Sequence, residues 1–153
     1  MDGKRAYSEA YLSEAMSVQG KFFERLQDLE GPIDSADLID AYMHGSTRRQ
    51  IDEGHAYYLT LDADRLREVF LQESGYQMKK GEPLRGFMPN WIGRFYAYGQ
   101  WYWNIPSAEL CDKLPVSVLR SAYPGAHDQD IRDAVLKFGN GLFDKTQNEG
   151  DAR

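Results

Sequence analysis

Residues 87–103, Phe87-Met-Pro-Asn-Trp-Ile-Gly-Arg-Phe-Tyr-Ala-Tyr-Gly-Gln-Trp-Tyr-Trp103, constrain the fold more than any other stretch of this chain. Seventeen positions hold eight of the twenty aromatic residues. At helical spacing Trp91, Phe95, Tyr98 and Tyr102 form one stripe, and Tyr96, Gln100 and Trp103 form a second. Arg94 and Trp101 lie beside the first. A helix that is apolar nearly all round is normally covered by its neighbours. The stretch therefore predicts a central core helix with the remaining elements packed around it. A competing reading leaves part of the belt at the surface as a binding face, because Tyr, Trp and Arg are the residue types enriched at interface hot spots. On that reading the anchors are Trp91, Arg94, Tyr98, Trp101 and Tyr102.

The flanking sequence reads as helices punctuated by Gly and Pro. Ser8 is placed to cap a first helix carrying Leu12, Ala15, Met16, Phe22, Phe23 and Leu26, closed by Gly31-Pro32. Gly20 inside it costs about 1 kcal/mol relative to Ala, so a close helix contact or a kink is expected there. Asp34 or Ser35 starts a shorter helix with Leu38, Ile39, Tyr42 and Met43, and Gly45 stops it. Thr47-Arg-Arg-Gln50 reads as a capping box for one or two turns, and residues 55–60 as an extended linker too short to anchor a sheet. Asp62 caps a helix ending at Ser74-Gly75. Residues 76–88 form the longest loop, of a length that is often functional or mobile. Pro89 then pre-sets the first turn of the aromatic helix. After Ile105-Pro106 come two short helical pieces, Ser107 to Leu114 and Pro115 to Ala122. Tyr123-Pro124-Gly125 reads as a turn, and Asp128 as the cap of a last helix. About six helices with little strand indicate an all-α chain. The expected organisation is one domain over residues 7–138 between flexible ends at 1–6 and 139–153.

Trp91-x-Gly93-x4-Tyr98-x-Gln100-Trp101-Tyr102, followed by Leu119-x3-Tyr123-Pro124-x2-His127, resembles a family of short bacterial proteins. Its helix reads approximately Tyr-Trp-x-Gly-Trp-x-Leu-Ala-Tyr-Tyr-Gln-Trp-Tyr, ahead of a Tyr-Pro-x-x-His segment. The resemblance spans roughly residues 88–135. Arg94 stands where that pattern has its second Trp, and Gly99 where it has a Tyr. The resemblance implies a shared fold and a bacterial origin. It brings no established activity and no catalytic residues.

Composition narrows the function classes. A chain of 153 residues with 42% apolar content buries a core without disulfides or metals. Its single cysteine, Cys111, precludes an internal disulfide, suits a reducing compartment and reads as a buried apolar thiol. The N-terminal sequence continues into polar helix and not into a hydrophobic signal core, and no apolar run is long enough to span a membrane, so the expected compartment is the cytoplasm. A net charge of −6 disfavours nucleic-acid binding, which depends on Lys and Arg displacing counterions from phosphates. The basic clusters at Arg48-Arg49 and Lys79-Lys80-x4-Arg85 read as small solvated patches.

Chemistry-bearing motifs are sparse. His44, His55 and His127 are isolated, without His-Glu-x-x-His or Cys-x-x-Cys spacing, so neither a metal site nor a cofactor is expected. Arg49-x5-His55 resembles the Arg-x4–6-His motif of some all-α toxin ribonucleases, in which the two side chains act on a phosphate. Gly54 and Tyr57-Tyr58, however, take His55 out of the helix that bears Arg49. No nucleophile elbow, Walker loop or dinucleotide fingerprint is present.

Three function classes remain. The leading one is a small acidic protein-interaction module of the kind found as the neutralising partner in bacterial toxin–antitoxin or immunity pairs. It would work by occlusion, with aromatic anchors in a partner's pocket and acidic side chains facing its basic surface. A homodimer is a further arrangement of that class. The second is a helix-turn-helix-like DNA-binding regulator using residues 107–121, with Ser117, Arg120 and Ser121 on the recognition helix. The third is an enzyme or small-molecule binder with a pocket between the aromatic helix and the 76–88 loop, where Arg94, Gln100 and His127 would converge.

Overall fold

The computed structural model describes residues 5–143. Among them are nine α-helices, two short 3-10 turns and no β-strand: α1 Leu12–Arg25, α2 Ser35–Met43, α3 Ser46–Asp52, α4 Ala56–Leu59, α5 Ala63–Ser74, α6 Met88–Trp103, α7 Ser107–Lys113, α8 Val116–Ala126 and α9 Ile131–Gly139. The chain is all-α. Its helix number exceeds the expected six because several short segments close complete turns of their own. No helix among the described residues is long and apolar enough to cross a membrane.

Local chemistry sets most helix ends. The Asp34 and Asp62 carboxylates each accept the backbone N–H three residues on, at 3.0 and 2.8 Å, capping α2 and α5. Gly75 closes α5 in the left-handed region, and Asn104 (φ 57°) does the same for α6. Ser8 makes no side-chain cap bond and precedes only a 3-10 turn. Thr47 is not a cap either. It is buried inside α3 and its hydroxyl donates to Glu73 at 2.9 Å.

Three segments depart from their sequence reading. Residues 55–60 are not extended: with no partner strand, their backbone polar groups are satisfied locally by the single turn α4, where the Leu59 N–H donates to His55 O. Tyr123-Pro124-Gly125 is not a turn but the last part of α8. Packing of Tyr123 against Trp91, with ring centres 5.6 Å apart, outweighs the backbone bond that Pro124 lacks. The cap of α9 is Asp130, not Asp128.

α1 and α6 form the principal helix pair, and α7, α8 and α9 also pack on α6. The approach of α1 to α6 depends on missing side chains. A Cβ at Gly93 would lie 2.6 Å from the Gln19 carbonyl oxygen and 2.8 Å from Gly20 Cα. One at Gly20 would lie 3.0 Å from Asn90 Oδ1. Beside this seam Phe22, Phe23, Tyr42 and Phe70 meet edge to face at 5.0–5.9 Å, in geometry worth about 0.5–1.5 kcal/mol per pair beyond the area buried.

The 76–88 segment is tied down at several points. Gln27 brackets Gly86, donating to its carbonyl and accepting its N–H, both at 2.9 Å. The Leu84 N–H donates to Ser35 Oγ, the Tyr76 hydroxyl donates to Asp37 at 2.6 Å, and Ile33 pairs with Lys80 in an isolated antiparallel bridge. Of the two ends expected to be flexible, residues 1–4 and 144–153 lie outside the described residues. Within the described part, Arg5 donates to the carbonyls of Trp101 and Tyr102, and Phe143 is buried beside Trp103.

The α1–α6 seam yields a paired prediction. Gly93→Ala forces backbone against backbone and is expected to cost about 2–3 kcal/mol. Gly125→Ala adds a methyl to α8 where nothing lies within 4 Å, and is expected to gain up to about 1 kcal/mol. Urea denaturation of the two variants beside wild type checks both signs.

Candidate functional site

α6 carries two different surfaces. One is the aromatic strip expected from sequence. Its residues do not share one fate. Trp91 is only 3% exposed, wedged between Phe95 and Tyr123 with ring centres at 5.4 and 5.6 Å, so it is a core residue and not a surface anchor. The reason is its position in the first turns of α6, directly under α8. Arg94 is half-buried, with its Cγ against the bare backbone of Gly20. Tyr98, Trp101 and Tyr102 are also half-buried and form one group: Tyr98 stacks on Tyr102 at 6.0 Å and meets Trp101 edge-on at 6.2 Å. The Arg5 guanidinium sits 4.3 Å over the Trp101 ring, and the indole N–H donates to Tyr7 O at 3.0 Å. Burial raises the Tyr98 phenol above its ordinary value, with the Arg132 charge acting in the opposite sense.

The other surface lies over a buried ion pair that the sequence reading missed. Arg48, taken from sequence as solvated, is 1% exposed. Its Nε donates to Asp52 Oδ1 at 3.0 Å and to Ser107 Oγ at 2.9 Å, Nη1 donates to Gln19 Oε1 at 2.7 Å, and Nη2 donates to Gln100 Oε1 at 3.3 Å. Asp52 in turn accepts the Ser107 hydroxyl at 2.7 Å and the Ser107 backbone N–H at 2.8 Å. The two amides complete the network: Gln19 Nε2 donates to Gly93 O and Gln100 Nε2 to Ile105 O. Four helices, α1, α3, α6 and α7, meet on one guanidinium.

Burial alone pulls Arg48 down, but the Asp52 carboxylate and the nearby phenols more than offset this and leave it above its ordinary value. The Tyr7 and Tyr42 hydroxyls lie in the field of Arg48 without reaching hydrogen-bond geometry. Burial pushes the Tyr42 phenol up to about 12. The only local trace of this network in the sequence is the Arg48-x3-Asp52 spacing, which places the two on one helix face.

Above the network opens a cleft of about 390 Å³ between the ends of α2 and α6, α3 and the start of α7. His44, Arg49, Asp52, Glu53, Gln100 and Asn104 contribute its polar wall. This cleft is not the one expected beside the 76–88 segment. Of Arg94, Gln100 and His127, only Gln100 lines it, and it does so while committed to Arg48. His127 stacks on Tyr123 at 4.6 Å. Arg49 lies on α3 and His55 at the cap of α4, where His55 pairs with Glu53 at 3.5 Å. The two therefore belong to different elements, and no shared phosphate site follows.

His44 is not isolated. Its Nε2 lies 2.7 Å from Asp112 Oδ1 and its Nδ1 2.8 Å from Asp40 O. The helix pair of the DNA-binding reading exists as α7 and α8, but Ser107 is spent on the Arg48 network and Arg120 lies 3.5 Å from Glu82. Ser117 and Ser121 are exposed.

Removing one partner of the buried pair should be far costlier than removing its neighbour. Arg48→Ala is expected to lose about 3–5 kcal/mol by stranding Asp52, whereas Arg49→Ala on the exposed side should stay within about 0.5 kcal/mol of wild type. Chemical denaturation of both variants reads the difference. No protein-family model matches the chain, and neither a curated protein nor a solved structure matches it.

Proposed function

We propose that this chain is a protein-interaction module, arranged around the aromatic helix α6, that acts as a neutralising partner of the antitoxin or immunity kind in a bacterial operon. The observation that carries the proposal is the half-exposed group of Tyr98, Trp101 and Tyr102 with Arg94 on the same helix. Amphipathic rings held by their neighbours lose little conformational freedom on binding, which is why such residues dominate interface energetics. The net charge of −6 favours a basic partner and a salt-sensitive association rate. The mechanism is occlusion: the rings fill a pocket on the partner while acidic side chains around them face its basic surface. The resemblance of the α6 and Tyr123-Pro124-x2-His127 segments to short bacterial proteins bears only on the bacterial setting of this reading.

The test uses the tagged chain against native lysate, with a Tyr98→Ala/Tyr102→Ala variant and a Trp91→Ala core control, each checked by circular dichroism. A single stoichiometric partner is expected, held less tightly at high salt and by roughly 30-fold or more in the folded double variant. A folded wild type that holds no partner overturns the proposal. So does a partner held equally by the double variant.

A second reading, binding of a small polar ligand, is favoured by one feature of the cleft. The exposed Arg49 side chain lines it and has no ion-pair partner among the described residues. A ligand that stabilises wild type but not Arg49→Ala against heat would favour this reading over the first.

A further inference from the structure

At the rim of the cleft, α2 and α7 bring together three side chains of different donor type. Asp40 and His44 lie one helical turn apart at the end of α2, and Cys111 faces them from α7. Their ligand atoms all fall within 4.8 Å of one another. Asp40 Oδ1 is 3.6 Å from His44 Nδ1 and 3.8 Å from Cys111 Sγ. Around a tetrahedral zinc ion, metal–ligand bonds of about 2.0–2.3 Å place neighbouring ligand atoms roughly 3.3–3.6 Å apart. The two separations from Asp40 are within a few tenths of an ångström of that, and the His44 and Cys111 ligand atoms lie within 4.8 Å of each other.

We propose that Asp40 Oδ1, His44 Nδ1 and Cys111 Sγ form a binding site for a divalent cation of the zinc class, with Asp112 as the outer carboxylate that orients the histidine. The mixed oxygen, nitrogen and sulfur set suits zinc and its neighbours and not magnesium or calcium, which take oxygen ligands. The i, i+4 placement of Asp40 and His44 puts two ligands on one helix face. Metal-bound histidines usually donate their second ring N–H to a carboxylate, and Asp112 Oδ1 stands 2.7 Å from His44 Nε2 in that role. Three protein ligands leave a fourth position open, as in zinc sites that take an exogenous ligand. His44 also lines the cleft.

Two contacts change when the metal binds. His44 Nδ1 gives up its 2.8 Å contact with Asp40 O and the proton that makes it, keeping Nε2–H on Asp112, and Cys111 loses its thiol proton; both protons go to solvent. Tyr96 Oη remains 3.7 Å from the sulfur, its own proton on Leu114 O. A dication with one thiolate and one carboxylate ligand is neutral overall, which offsets the cost of a thiolate in a buried place. In the metal-free chain, burial pushes the Cys111 thiol up to about 12 and keeps it protonated.

The experiment is titration of chelator-treated full-length protein with Co2+, followed by displacement with Zn2+. One Co2+ per chain is expected, with a sulfur-to-cobalt charge-transfer band and the visible bands of a tetrahedral ion, both lost on adding Zn2+. Asp40→Asn and His44→Gln alter exposed side chains and should leave the helical circular dichroism signal intact while weakening binding tenfold or more. Asp112→Asn should weaken it by about 10–100-fold. Cys111→Ser should abolish the charge-transfer band, and His55→Gln and His127→Gln should change nothing. Absence of the charge-transfer band in wild type overturns the proposal. So does a Co2+ affinity that Asp40→Asn and His44→Gln leave unmoved. These readouts do not depend on the protein-interaction reading, and either can fail alone.

Discussion

The structure depends first on keeping one guanidinium out of water. A buried charge is tolerated only when paired and fully hydrogen-bonded, and Arg48 meets that condition with acceptors drawn from four different residues. Each acceptor is itself held in place: Asp52 by Ser107, Gln19 by the Gly93 carbonyl, Gln100 by the Ile105 carbonyl. The network is worth little as a source of net stability, because an apolar substitute of the same shape could do as well. Its value is in specification. Any packing of α1, α3, α6 and α7 that misplaces one helix strands a charge, so alternative arrangements of the same apolar faces are penalised.

The close α1–α6 seam and this network are two parts of one arrangement. Gly93 lets the α1 backbone approach α6, and the Gln19 side chain then reaches the Gly93 carbonyl while its oxygen accepts from Arg48. Both ends of the Gln19 amide are committed, so its orientation is fixed by its partners. A seam opened by even a methyl group would lengthen both bonds. The apolar core and the polar core of this protein are therefore not separable contributions.

What could be read from sequence, and what could not, follows from the range of the interactions. Helix starts at Asp34 and Asp62 were legible because a capping carboxylate acts three residues away. The all-α class, the extent of α6 and the common face of Tyr98, Trp101 and Tyr102 follow from a period of 3.6. Arg48 was misread because its acceptors Gln19, Gln100 and Ser107 lie 29, 52 and 59 residues away. His44 was misread for the same reason, with Asp112 at a separation of 68. Trp91 falls between these cases. Periodicity assigns it to a face of α6, but only the placement of Tyr123 on α8 decides that this face is covered. Tyr123-Pro124-Gly125 shows the converse, a strong local turn signal overruled by packing.

Asn104 ends α6 in the left-handed conformation and turns the chain so that Ser107 opens α7 with its backbone N–H on Asp52. Ser107 and Cys111 are four residues apart, so one helical turn, about 6 Å, separates the buried ion pair from the thiol facing Asp40 and His44. The register of α7 is thereby keyed at its first residue. A rotation of α7 that drew Cys111 away from α2 would also pull Ser107 off Asp52. The interior of the protein and the rim of its cleft thus meet on one short helix, four residues apart.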